Sequence, residues 1–255
     1  MGNYNKNICN LVFFVSFSGI ASNLSAQNIV PNPSFEIFGK CPKDYNVNYK
    51  KTIVPDWYMP TGGTADYFNS CTKIQVGVPQ NFMGNCFAKD GNAYVGLILM
   101  LEPPADTAKP AKINYREYIE AKLKEPLAKS QWYVVKFYFS ISTYSTFAIN
   151  RLGAFLSEKK ISNKLLTGIL PCKPQIYMDT ARIITEKDDW FEIADTIQAK
   201  GNEQYITIGN FYNDKKTSYK TLGLDGISRV QQARIKENQM AYYFIDMVSV
   251  IKIEK

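Results

Sequence analysis

The chain has 255 residues, with 30 Lys and Arg against 23 Asp and Glu for a formal net charge of +7, and it contains no histidine. Without imidazole there is no Ser-His-Asp or Cys-His relay and no histidine-ligated zinc, haem or non-haem iron. Acid–base chemistry near neutral pH would fall to carboxylates, Lys, Tyr or Cys. Aromatic residues make up 14% of the chain, chiefly 17 Tyr and 15 Phe, which excludes a disordered chain and suits a β-rich core.

Residues 1–26 read as a secretory signal peptide. Lys6 is their sole charge, Ile8 to Ala21 is apolar, and Leu24 and Ala26 occupy the two recognition positions of a cleavage before Gln27. The apolar stretch is too short and interrupted for a membrane span, and no later run of roughly eighteen apolar residues occurs. A retained N-terminal anchor is the alternative. Removing Cys9 with the signal leaves Cys41, Cys71, Cys86 and Cys172, an even number in an exported chain, so two disulfides are expected. Three connectivities are open. Cys41–Cys71, closing a long early loop, is favoured, with Cys86–Cys172 as the remainder. No two cysteines have the CxxC spacing of a metal site.

From Gln27 onward the apolar residues recur with a period of two rather than 3.6. Ala93 to Leu101 (AYVGLILML) is apolar on both faces, as a central sandwich strand is. Ile113 to Leu123 alternates. In Tyr133 to Thr143 the side chains of Tyr133, Val135, Phe137, Phe139 and Ile141 fall on one face. Ala148 to Leu156 adds a strand, Phe191 to Ala199 alternates, and Gln204 to Tyr212 and Ala241 to Ile253 are again apolar on both faces. A short helix is allowed only within Ile227 to Asn238. Short strands between Gly, Pro and Asn clusters predict an all-β sandwich in one domain over residues 27–255. Three segments read as long loops: Lys40 to Asn69, the Pro/Ala-rich Glu102 to Lys112, and the basic Asn213 to Asn238. The last carries Lys215, Lys216, Lys220, Arg229, Arg234 and Lys236. It has no recognisable nucleic-acid module, so it reads as a solvated or anion-binding loop, and no nucleic-acid partner is expected.

Two motifs stand at the ends of the mature chain: Asn32-Pro33-Ser34-Phe35-Glu36, and Tyr243-Phe244-Ile245-Asp246-Met247-Val248-Ser249-Val250. They resemble the opening and closing strands of the carbohydrate-binding-module type (galactose-binding-like) of jelly roll. The resemblance implies a jelly-roll β-sandwich. It also implies that Glu36 and Asp246, with backbone oxygen from the Asp90-Gly91-Asn92 turn, hold a structural calcium ion and that no other cofactor is needed. The alternative is two carboxylates satisfied by backbone N–H groups and water.

The sequence is similar, more narrowly, to exported domains of the Bacteroidetes. The segments that carry the likeness are Gln27 to Glu36, Cys41-Pro42, Trp57, Gly63 to Cys71, Val78-Pro79 with Gly84, Gly91 to Gly96, Tyr115 to Ile119 and Tyr205 to Phe211. Such domains often precede an OmpA-like or a type IX sorting domain. The likeness implies a binding or assembly module in the periplasm, at the outer-membrane surface or outside the cell, and not a catalyst.

Sugar recognition uses aromatic faces flanked by amide and carboxylate partners. The candidates here are Trp57, Tyr58, Tyr67 and Trp190, with Asp66, Asn69 and Asn210 beside them. Alternatively Trp57 and Tyr67 plug the end of the sandwich under a disulfide-closed loop. The expected function is non-catalytic binding of glycan or cell-envelope material. The alternative is a structural subunit of an outer-membrane or type IX secretion and gliding assembly.

Overall fold

The period-two runs become strands, and the length of each follows from what covers its two faces. The computed structural model describes residues 27–45, 54–73, 75–101, 114–187, 189–237 and 239–254. The expected signal peptide and the Pro/Ala-rich segment through residue 113 lie outside the described residues. In chain order the strands are β1 (Trp57–Tyr58), β2 (Asp66–Asn69), β3 (Gln80–Asn81), β4 (Gly84–Asn85), β5 (Ala93–Leu101), β6 (Tyr118–Lys122) and β7 (Trp132–Ile141). There follow β8 (Phe147–Ile149), β9 (Gly153–Ser157), β10 (Ile176–Tyr177), β11 (Phe191–Gln198), β12 (Tyr205–Gly209), β13 (Tyr219–Thr221), the helix α1 (Arg229–Glu237) and β14 (Met240–Ile253).

Two five-stranded antiparallel sheets, ordered β11-β7-β14-β5-β2 and β1-β6-β12-β9-β10, face each other as a jelly-roll β-sandwich. The chain passes from one sheet to the other between β5 and β6, β6 and β7, β10 and β11, and β11 and β12. Between the sheets, Tyr133, Val135, Phe137, Phe139 and Ile141 of β7 are all buried, opposite Ile119, Ala121, Ala154, Leu156, Ile206 and Ile208. Each such aliphatic or aromatic side chain contributes on the order of 1.5–3 kcal/mol by leaving water.

Strands β5 and β14 are apolar on both faces because a second cluster covers the outside of their sheet. Phe68, Tyr94, Tyr242 and Phe244 pack there under Val76, Val78, Met83 and Cys86. A third cluster, Tyr118, Phe211 and Leu170, closes the outside of the other sheet beneath the segment that joins β9 to β10. The first and last segments of the domain lie side by side. Ile29 N–H donates to Val250 O at 3.1 Å, and Val248 N–H to Pro33 O at 2.9 Å.

Several expectations change. The run Ile113 to Leu123 forms strand only as β6. Before it, the buried Arg116 guanidinium donates to the Tyr115 and Tyr212 carbonyls and pairs with Asp214 at 2.7 Å, which draws residues 115–117 toward the loop after β12 rather than into the sheet. The run Ala148 to Leu156 splits into β8 and β9. At the break, Asn150 donates to Thr180 O and accepts from Ser218 N–H. The segment Asn213 to Asn238 is no open loop: it contains a 3-10 turn at Asp214–Lys216, β13 and, within the span where a short helix is expected, α1. The Cys41–Cys71 disulfide is formed, S–S 2.08 Å. The expected Cys86–Cys172 bond is not. Both remain thiols, because Cys86 belongs to the cluster outside one sheet and Cys172 to the cluster outside the other.

Candidate functional site

The two carboxylates singled out at the chain ends converge on one turn. A β-bulge between Asp246 and Ser249, with Met247 in the left-handed region at φ 50°, breaks the ladder of β14 where Asp246 stands. Asp246 Oδ2 accepts from the N–H groups of Lys89 (3.0 Å) and Asp90 (3.1 Å), and its Oδ1 from Met247 N–H (2.7 Å). Glu36 Oε1 accepts from Asn92 N–H at 2.8 Å, and Ser34 Oγ donates to Asp90 Oδ2 at 3.1 Å. Gly91, at φ +67°, lies so close that a Cβ there would stand 2.6 Å from Glu36 Oε1.

The turn therefore presents N–H donors to both carboxylates. A calcium ion takes six to eight oxygen ligands, and in the calcium reading Glu36, Asp246 and backbone oxygen of this turn would supply protein ligands. Among the described residues no three Asp, Glu or Cys side chains converge as a metal site. Burial pushes the Asp246 carboxyl up to about 8, against the opposing pull of the three N–H donors.

The aromatic and polar candidates do not form one site. Trp57 is core: its Nε1–H donates to Asn32 O at 3.0 Å and its ring lies 5.0 Å from that of Phe35. Tyr67 is core as well, its hydroxyl donating to Phe35 O at 2.9 Å and receiving Asn69 Nδ2–H at 2.7 Å. Asp66, Asn69 and Asn210 are buried. Asp66 accepts the Tyr242 hydroxyl at 2.6 Å, Asn69 accepts Cys71 N–H, and Asn210 donates to Leu99 O. All five are buried, Trp57 and Tyr67 in the core, Asp66 against Tyr242 on the outer side of its sheet, and Asn210 just after β12.

Tyr58 and Trp190 are half-buried on opposite sheets. Tyr58 donates to Glu120 outside the β6 sheet, with Lys160 Nζ 3.8 Å from its ring centroid. Trp190 donates to Phe87 O at 2.9 Å and packs on Tyr94.

The sandwich has instead a pocket of about 600 Å³ that the sequence reading missed, outside the β14–β5–β2 sheet. It is built from four separate segments. The β3–β4 hairpin supplies Asn81, Phe82 and Met83. Asn81 Oδ1 accepts Met83 N–H at 2.8 Å and shapes the two-residue turn. Gly84, at φ +124°, lets the hairpin lie against Thr143, whose Oγ1 would stand 2.2 Å from any Cβ there. Tyr144 N–H then donates to Met83 O at 3.1 Å, which brings the Tyr144 ring to the pocket. The disulfide at Cys41 holds Tyr45 nearby, its ring 4.9 Å from Phe82.

Helix α1 forms the facing wall. Ser228 caps it in a reciprocal box with Gln231, Gln231 N–H to Ser228 Oγ at 3.3 Å and Ser228 Oγ to Gln231 Oε1 at 2.9 Å. The Gln231 amide is thereby aimed at the Tyr144 hydroxyl, 2.8 Å away. Gln75, Ile235 and Met240 complete the lining. Among the described residues no charged side chain lines it. Gly84 and the Ser228-x-x-Gln231 pattern are the only signals of this pocket in the sequence, and neither says what the turn or helix will face.

No protein-family model matches the chain, and no curated protein does. Among solved structures, the chain is similar to a cleaved adhesin domain of Lys-gingipain from Porphyromonas gingivalis at 12% identity, over 75% of this chain and 84% of that one, with a TM-score of 0.32. A CBM4 structure matches at 10% identity over 88% and 99%, TM-score 0.34. A candidate sugar-binding protein from Bacteroides thetaiotaomicron matches at 10% over 89% and 100%, TM-score 0.37. Likenesses of this size assign no function, and the fold rests on the strand order given above. No helix among the described residues is long and apolar enough to cross a membrane.

Proposed function

We propose that this domain is a non-catalytic, extracytoplasmic glycan-binding module and that it takes its ligand in the pocket between the β3–β4 hairpin and α1. The observation that carries this reading is the lining: three aromatic rings (Tyr45, Phe82, Tyr144) and three carboxamides (Gln75, Asn81, Gln231) around about 600 Å³. That volume lies within the roughly 300–1,000 Å³ of small-molecule sites. Aromatic faces offer stacking area to the C–H faces of a sugar ring, and a carboxamide offers both donor and acceptor to hydroxyls.

Among the described residues no pair of carboxylates of the kind used in glycoside hydrolysis lines the pocket. The Cys41–Cys71 bond supports a location outside the reducing cytoplasm. A glycan array is the test. Bound glycans should be lost or weakened about tenfold on Tyr45→Ala, an exposed position whose loss leaves the core intact. A silent array, or binding that ignores Tyr45→Ala, overturns the reading.

A further inference from the structure

We infer that the pocket selects an N-acetylated hexosamine unit over a plain hexose. The inference rests on the glycan-binding reading above and adds to it the chemistry of the substituent. The lining is not uniform but has two halves. In one, Tyr45 and Phe82 stand ring against ring at 4.9 Å beside Gln75, whose carbonyl accepts Phe82 N–H at 2.7 Å. Phe82 is backed in turn by Phe68 and Tyr242, at 5.7 and 5.9 Å, so its ring is held in place before any ligand arrives. This half is a platform for the apolar face of a pyranose.

The other half combines apolar side chains with an oriented amide. Met83 and Met240 are joined to the Tyr144 loop through backbone bonds, Tyr144 N–H to Met83 O and Thr146 N–H to Met240 O. Gln231, in the same lining, is oriented by Ser228 and by the Tyr144 hydroxyl. A hexose brings ring C–H groups and hydroxyls to such a surface but no methyl group for the thioethers. An acetamide offers a methyl group to the methionines, which adapt to irregular apolar shapes. Its N–H and C=O meet the donor and acceptor of a carboxamide.

Calorimetric titration of the full domain with the β-1,4 disaccharides of N-acetylglucosamine and of glucose, and with an uncharged tetrapeptide, is the experiment. The N-acetylated disaccharide should bind about tenfold or more tightly than the glucose disaccharide. Gln231→Leu, at an exposed position, should reduce that ratio toward one, whereas Tyr45→Ala should weaken both sugars by a similar factor. Equal binding of the two disaccharides, or a ratio that survives Gln231→Leu, overturns this inference and leaves the glycan-binding reading standing. Binding of neither sugar, or of the peptide alone, overturns both.

Discussion

Asp246 shows how a residue can be legible by type and position while its work depends on contacts. Its place near the end of the last strand marks it for a structural role. In the fold its carboxylate accepts three backbone N–H groups beside a bulge. Gly91 belongs to the same arrangement. At φ +67° an alanine pays about 1–2 kcal/mol for its backbone alone, and its Cβ would press on the Glu36 carboxylate at 2.5–2.6 Å. Gly91→Ala should therefore lower the melting temperature by several degrees, since about 1 kcal/mol corresponds to roughly 2–4 °C at this size. An unchanged thermal melt would show that the turn relaxes freely and is not pinned by Glu36. Trp57 and Tyr67 stand open in the sequence between ligand surface and a plug at the end of the sandwich, and burial decides for the plug.

Among the elements, the strands were the most legible. Period-two runs such as Tyr133 to Ile141 state which face is buried, since alternate side chains leave a strand on opposite sides. Broken strands were not legible: the break at Asn150 depends on Thr180 and Ser218, which are distant in sequence. The pairing of Cys41 with Cys71 was readable as one of three options, whereas Cys86 and Cys172 are kept apart by the thickness of the sandwich. The disulfide spans 30 residues. By chain-entropy reasoning its removal costs about 3–4 kcal/mol. A Cys41→Ser, Cys71→Ser double variant should unfold at lower denaturant concentration and bind glycan more weakly as Tyr45 loses its tether. A variant as stable as the parent would show that the loop is held by other contacts.

At the scale of the molecule, the sandwich buries four carboxyls that form no salt bridge among the described residues. Burial raises the carboxyls of Asp66, Glu117, Glu120 and Asp246, the last to about 8. In the unfolded chain these groups ionise near pH 4. Between there and pH 8 the folded state holds more protons than the unfolded state, so stability falls as pH rises. Glu186 and Glu192 shift downward, but both are exposed and count little. The melting temperature should therefore be higher at pH 5 than at pH 8, and a melt that rises steadily over that range would refute this account. By itself the sequence determined that no imidazole chemistry is available, that the fold is an all-β sandwich, and which faces of its strands are apolar. Those properties are local: a residue type is absent, or a period repeats within one strand. The tertiary structure alone decided that the conspicuous aromatics lie inside, that the end carboxylates meet N–H groups, and that a neutral pocket forms from four segments between Tyr45 and Met240. Those depend on which distant residues meet, and no period in the chain encodes that meeting.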